Sequence, residues 1–178
     1  ENVLRGRINC HRKDIISGDF GRHLDLIASG GSDNVVNVWD YERVMLIHEY
    51  KSHEAEVSIV RFLEPFPLLL TSDASGLINI WLTKPHPEAG RLVTTWRNTP
   101  DLKQCTPISA IDSHYNPTTG EFLLFLGDEL GFVRVQDISI LLEKVPNLHP
   151  VTMDNKDKKR NPHRIFEVDF DQVGNKAA

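Results

Sequence analysis

The sequence has little cysteine, no long apolar run and no excess of positive charge. Two cysteines in 178 residues, Cys10 and Cys105, cannot build a disulfide framework. The one Asn-x-Thr triplet, at Asn116, carries Pro117 in its middle and is no glycosylation acceptor. Together these favour a reducing, intracellular setting. The longest apolar stretches are Phe66 to Leu70, with Pro67 inside it, and Phe122 to Leu126. Both fall far short of the ~20 residues of a membrane span, so no membrane partner is expected. No signal-peptide pattern opens the chain. It begins with Glu1 and not methionine, which gives the expectation of a segment of something longer. Lys and Arg number 20 against 25 Asp and Glu, a net charge of −5. That balance excludes the basic footprint of a whole-domain nucleic-acid binder. Collagen-like, coiled-coil and mucin-like classes fail on composition.

What is present is enough apolar material for a core, 40% of the residues, and it is arranged as a repeat. His11 precedes Trp39 by 28 residues and His53 precedes Trp81 by 28. Ile15 and Val57 follow the two histidines at the same distance. Between them Ser29 aligns with Thr71 and Asp33 with Ser75. The period is 42 residues, inside the ~40–45 of a propeller blade. A weaker third copy occupies 121–137, where Gln136 takes the Trp place and Leu130 that of Asp33. A short insertion within 116–120 lengthens its turn.

Each copy holds short Val-, Ile-, Leu- and Phe-rich runs broken by Gly, Asp, Asn and Pro, the pattern of short strands. Strands are expected over 14–18, 24–29, 35–39 and 43–49, then 57–63, 67–72, 77–82 and 91–97, then 107–114, 122–127 and 132–136. The last strand of the third copy is undefined. Tight hairpins between the second and third strands need φ > 0, which Gly76 and Gly131 supply and Asn34 tolerates. The expected organisation is a lead-in over 1–10 that ends a preceding blade, blade one over 11–51, blade two over 52–103 and a degenerate blade three over 104–139. A polar extension follows over 140–178. It has a helical turn over 140–145 stopped by Pro146 and, over 165–170, alternating apolar and acidic residues that read as a half-buried strand.

These residues resemble the WD40-repeat family. The resemblance is carried by His11, Ser29, Asp33, Trp39 and Asp40 in the first copy and by His53, Thr71 and Trp81 in the second. Cys10-His11 and Ser52-His53 stand where the family has Gly-His, and Leu82, not Asp, follows the second Trp. The resemblance implies an all-β fold, a partial β-propeller of about three four-stranded blades. Propellers close with roughly four to eight blades. The uncovered faces are therefore expected to meet further blades of a longer chain, or a partner. The resemblance also implies a structural hydrogen-bond network in each blade. His bonds the turn Asp and the strand Ser or Thr, whose hydroxyl meets the indole N–H. The members are His11, Ser29, Asp33 and Trp39 in blade one and His53, Thr71, Ser75 and Trp81 in blade two. With Ser75 at the acid position, the second network is expected to be the weaker.

The segment 126–139 and the divergent blades resemble, more specifically, the long WD-repeat proteins of motile cilia. That implies a non-enzymatic scaffold of the ciliary axoneme on doublet microtubules, with tubulin and axonemal proteins as partners. The alternative is a WD40 adaptor of another cytosolic complex, a ubiquitin-ligase receptor or a trafficking coat. A propeller enzyme is a third reading. Ser29, His11 and Asp33 have the residue types of a hydrolase triad, but Ala28-Ser29-Gly30 is no nucleophile elbow. The second copy has Thr for Ser, so a structural role is expected and no catalytic residue is assigned. None of the eight histidines forms an i, i+4 pair and the cysteines lie far apart, so no metal or cofactor is expected. Lys156, Lys158, Lys159, Arg160 and Arg164, with only Asp157 opposing them, form one basic stretch that suits an acidic protein partner. It lacks the interleaved aromatics that nucleic-acid binding would use. The Pro-bearing loops 82–90 and 98–107 are further candidates for contact.

Overall fold

A computed structural model describes residues 10–99 and 104–152. The first repeat folds as β1 (Ile15–Gly21), β2 (Leu26–Gly31), β3 (Val36–Asp40) and β4 (Met45–Tyr50). The second gives β5 (Val57–Phe62), β6 (Leu68–Asp73), β7 (Leu77–Leu82) and β8 (Leu92–Arg97). The third gives β9 (Ile108–Asn116), β10 (Glu121–Asp128) and β11 (Val133–Asp137), followed by helix α1 (Ile140–Lys144). Each repeat is its own antiparallel sheet with strands adjacent in chain order, four, four and three strands respectively. This is the partial propeller that the repeat implies. The place of a fourth strand in the third sheet, undefined in the sequence, is not filled from the described residues. The chain turns into α1 there, and Pro146 follows the helix. The lead-in 1–9, the basic stretch and 165–170 lie outside the described residues.

The hairpins follow from backbone sterics. Asn34, Gly76 and Gly131 stand at φ +64°, +78° and +84°, the left-handed region that Gly occupies freely and Asn tolerates. Gly76 is required for a second reason, since a Cβ there would lie 2.7 Å from the Thr106 carbonyl oxygen. The repeat is kept down to its irregularities. Bulges fall between Ile15 and Ser17 and between Val57 and Ile59, and again between Val38 and Trp39 and between Ile80 and Trp81. Each pair is separated by the period of 42.

Two apolar cores flank blade two. One joins it to blade one through Leu26, Val36, Val38, Val57, Val60 and Leu69, and Trp81 stacks on Tyr50 at 4.3 Å. The other joins it to blade three through Leu68, Leu70, Ile78, Ile80, Phe122 and Leu124, with Leu141 of α1 beneath. β6 is buried along its whole length, which explains why its first half, Leu68-Leu69-Leu70, is apolar on both faces instead of alternating. Each fully buried Leu there contributes ~1.5–3 kcal/mol. At the inner strands polar side chains tie the blades together. Ser17 Oγ accepts the Val60 N–H at 3.1 Å, and Asp19 Oδ2 accepts the Phe62 N–H at 2.8 Å.

Candidate functional site

The two histidines lead into β1 and β5 and point back between the second and third strands of their own sheets. In blade one, His11 Nδ1 lies 3.0 Å from Asp33 Oδ1 and Nε2 lies 2.8 Å from Ser29 Oγ. A carboxylate can only accept, so Nδ1 carries the proton and Nε2 accepts from the serine hydroxyl. In blade two, His53 Nδ1 lies 3.1 Å from Asp73 Oδ2 and Nε2 lies 2.8 Å from Thr71 Oγ1. The Trp81 indole N–H donates to Thr71 Oγ1 at 3.1 Å. Blade two therefore holds an unbroken donor chain from indole through hydroxyl and imidazole to carboxylate. Among the described residues no hydrogen bond joins the Trp39 indole to Ser29. Asn37 instead donates to Cys10 O and His11 Nε2, both at 3.3 Å.

The expectation that blade two lacks its acid is corrected by Asp73. Ser75, aligned with Asp33, does not touch the histidine. Its hydroxyl donates to Asp73 Oδ1 at 2.6 Å. The two carboxylates serve the same donors from different chain positions. Asp33 accepts the backbone N–H groups of Arg12 and Val35 at 2.8 and 3.3 Å, and Asp73 those of Glu54 and Leu77 at 3.2 and 3.1 Å. Both donor pairs are one period apart. Asp73 aligns with Gly31, where a Cβ would sit 2.6 Å from both Asp33 Oδ1 and His11 Nδ1. One site near the imidazole takes one carboxylate, from the strand end or from the turn. The sequence signal for Asp73 was an acidic residue two positions before the expected one. In blade three, Asp128 keeps the strand-end position and accepts Leu130 and Phe132 N–H at 3.0 Å each. Gln104, Leu126 and Gln136 stand at the places of His53, Thr71 and Trp81.

Electrostatics agree with the donor assignment. Burial holds His53 below the ordinary imidazole value against the opposing pull of Asp73. Burial works to raise the Asp73 carboxyl, but hydrogen bonds from Ser75, His53 and Leu77 outweigh it and leave it below the ordinary carboxylate value. Asp33 is lowered in the same way, with His11 and the Arg12 N–H overcoming desolvation.

The contact order Ser29–His11–Asp33 is that of a hydrolase triad, yet the surroundings are those of a core. The imidazole and carboxylate of blade one are 1% and 8% exposed, and those of blade two are both 0%. Ser29 sits in mid-strand, paired with Gly18 on one side and Asn37 on the other. The ladders occupy the backbone amides that an oxyanion hole would need. An open cleft bordered by Cys10, Arg12, Asn34, Glu49 and Lys51 reaches Asp33 and His53 at the edges of the two networks. Lys51 and Glu49 pair with each other at its rim at 2.6 Å. Among the described residues no group of three or more His, Cys, Asp or Glu could hold a metal, and no helix is long and apolar enough to cross a membrane. Loop 82–90 is partly internal. Buried His86 accepts the Glu88 N–H at Nδ1, which leaves Nε2–H to donate to the Pro146 carbonyl at 2.8 Å. In loop 98–107, buried Asn98 donates to the Thr106 carbonyl at 2.9 Å.

Residues 2–40 match the family model described as WD domain, G-beta repeat. Human apoptotic protease-activating factor 1 is 26% identical over 126 residues, 63% of this chain and 10% of that protein. Meiotic fizzy-related protein 1 of Schizosaccharomyces pombe is 32% identical over 85 residues, 48% of this chain and 20% of that protein. The probable coatomer subunit beta′ of the same yeast is 30% identical over 57 residues, 32% of this chain and 7% of that protein. The chain spans between 7% and 20% of the length of these relatives.

Proposed function

We propose that the chain, whose residues 2–40 match the WD40 repeat model, is a WD40-repeat protein and acts as a non-enzymatic scaffold for protein–protein interaction within a large assembly. The observation that carries this reading is the recessed pair of imidazole networks. Their polar groups are spent on holding the hairpin ends of blades one and two in place, which rigidifies a platform and leaves its outer surfaces to partners. Those surfaces are apolar on both flanks. Met45 is 52% exposed on blade one, and Val133 and Val135 are 76% and 59% exposed on blade three. Exposed apolar patches mark interaction surfaces. Further blades of the same protein, or a partner, cover them.

The finer reading is a component of the ciliary axoneme on doublet microtubules. It is supported by the resemblance of 126–139, and by Lys156, Lys158, Lys159, Arg160 and Arg164 as a contact for an acidic tubulin surface. None of the relatives above is named for a ciliary role. A second reading, a coat or adaptor subunit, is supported by the relative named as a coatomer subunit. Proximity labelling from the endogenous protein, on salt-extracted cilia, separates the two. Tubulin and doublet proteins that resist extraction are the expected yield. Absence from cilia with enrichment of coat or ligase subunits overturns the axonemal reading.

A further inference from the structure

We propose that 138–151, the segment that follows β11, is a latch that holds the three blades in one fixed arrangement. Three blades do not close a ring, which takes roughly four to eight. Among the described residues the latch supplies the restraint that closure would. Its near end is anchored on blade three. Ile138 N–H donates to the Phe122 carbonyl and Ser139 Oγ accepts the Phe122 N–H, both at 2.8 Å. Leu141, Val145 and Leu148 then enter the core between blades two and three, where all three are buried. Within this stretch the Pro146 carbonyl accepts the Nε2–H of His86, on the loop after β7, at 2.8 Å. The far end crosses to the other core. Val151 packs against the cluster between blades one and two, and its N–H donates to the Pro65 carbonyl at 2.7 Å.

The turn that the latch reaches, 63–67 between β5 and β6, is where the three blades meet. Glu64 Oε1 accepts the His23 N–H of blade one at 2.7 Å, and Glu64 Oε2 lies 3.0 Å from His23 Nδ1. Phe66 packs on Tyr115 and Phe122 of blade three, with ring centroids 4.8 and 5.1 Å apart. Pro65, between Glu64 and Phe66, is the residue that Val151 holds. Release of the far end therefore acts at the point on which both seams converge. The path of the latch bends at Asn147, which is exposed and stands at φ +60°. That is the left-handed region, which Asn tolerates and a β-branched residue does not. Asn147 belongs to neither core cluster, so a substitution there lifts the far end without removing a core side chain.

The test is amide exchange on the full chain carrying Asn147→Val, with Asn147→Gly as the variant that suits the same backbone. The N–H groups of Val60 and Phe62 cross from blade two to Ser17 and Asp19 and report on the seam with blade one. The ladder amides of β3 report on blade one itself. Asn147→Val is expected to speed exchange of Val151, Val60 and Phe62 at least ~10-fold and to leave β3 within ~2-fold of its original rate. Asn147→Gly should leave all of them near their original rates, since Gly adopts positive φ freely. Val151→Asp, which places a charge against the core at the far end, should reproduce the Asn147→Val pattern. A Val151 N–H that is unprotected in the unsubstituted chain overturns the proposal. So does exchange of Val60 and Phe62 that neither Asn147→Val nor Val151→Asp changes. Equal acceleration of β3 would mark a loss of overall stability in place of the release of one seam, and overturns it as well.

Discussion

Blades one and two solve the same problem with residues at different positions. Each needs a carboxylate facing the Nδ1 of a histidine and two backbone N–H groups. Blade one brings it from the hairpin turn with Asp33 and keeps Gly31 bare to make room. Blade two brings it from the strand end with Asp73 and uses the turn residue, Ser75, to hold that carboxylate. What the repeat preserves is a charge at a point in space, and a one-to-one alignment of side chains misses it. The blades also differ in depth. The Asp73 carboxylate is 0% exposed and accepts five hydrogen bonds, whereas Asp33 is 8% exposed and accepts three. The comparison breaks first at the acids. Asp73→Ala should destabilise more than Asp33→Ala, since it leaves five donors without their acceptor, each buried unsatisfied donor costing ~1–3 kcal/mol. Asp33→Ala should cost ~1–3 kcal/mol. Urea denaturation of both variants checks this, and equal losses would remove the distinction in depth.

A transplant tests whether the site is one carboxylate wide. Gly31→Asp alone forces a second acid against Asp33 and His11 and should destabilise by ~1–3 kcal/mol through overpacking and like charge. Adding Asp33→Ser rebuilds the blade-two arrangement inside blade one. The double variant should recover at least half of the loss, a coupling within the ~0.5–3 kcal/mol seen for contacting residues. Simple additivity in thermal unfolding would show that the two positions do not share a site.

Most of the fold was legible because its signals are local. The period, the φ > 0 turn positions at Asn34, Gly76 and Gly131, and the apolar runs all act within a few residues, and each strand formed where its run lies. Legibility stopped where spatial neighbours replace sequence neighbours. Asp73 lies just past the expected strand 67–72, and only the distances to His53 and Leu77 show that it does the work of Asp33. The buried brace of His86 on Pro146, 60 residues apart, has no signature in either segment. Blade three was hardest because Gln104, Leu126 and Gln136 replace the network residues by which a blade is recognised. Its strand-end acid, Asp128, survives.

The tryptophans sharpen the comparison at lower energy. The Trp81 indole donates to Thr71, and Trp39 has no such bond to Ser29. Phe at either position loses similar ring volume, but only Trp81→Phe loses a buried hydrogen bond. It should therefore cost ~1 kcal/mol more than Trp39→Phe in matched denaturation curves.

Acid titration gives the smallest effect. His53 stays neutral when folded below the pH at which the unfolded side chain protonates, because burial disfavours its charge. Below about pH 6.5 the unfolded state thus binds one proton more than the folded state, and stability falls with pH until the folded imidazole also titrates. The slope for one such group is at most ~1.4 kcal/mol per pH unit. Asp73, lowered in the fold, adds a loss of the same sign only beneath the ordinary carboxylate range. His53→Gln should flatten the upper part of this profile, measured as unfolding midpoint against pH between roughly 5 and 7. A slope unchanged by that substitution would place the titrating group elsewhere and remove the role given to burial in keeping the blade-two imidazole neutral.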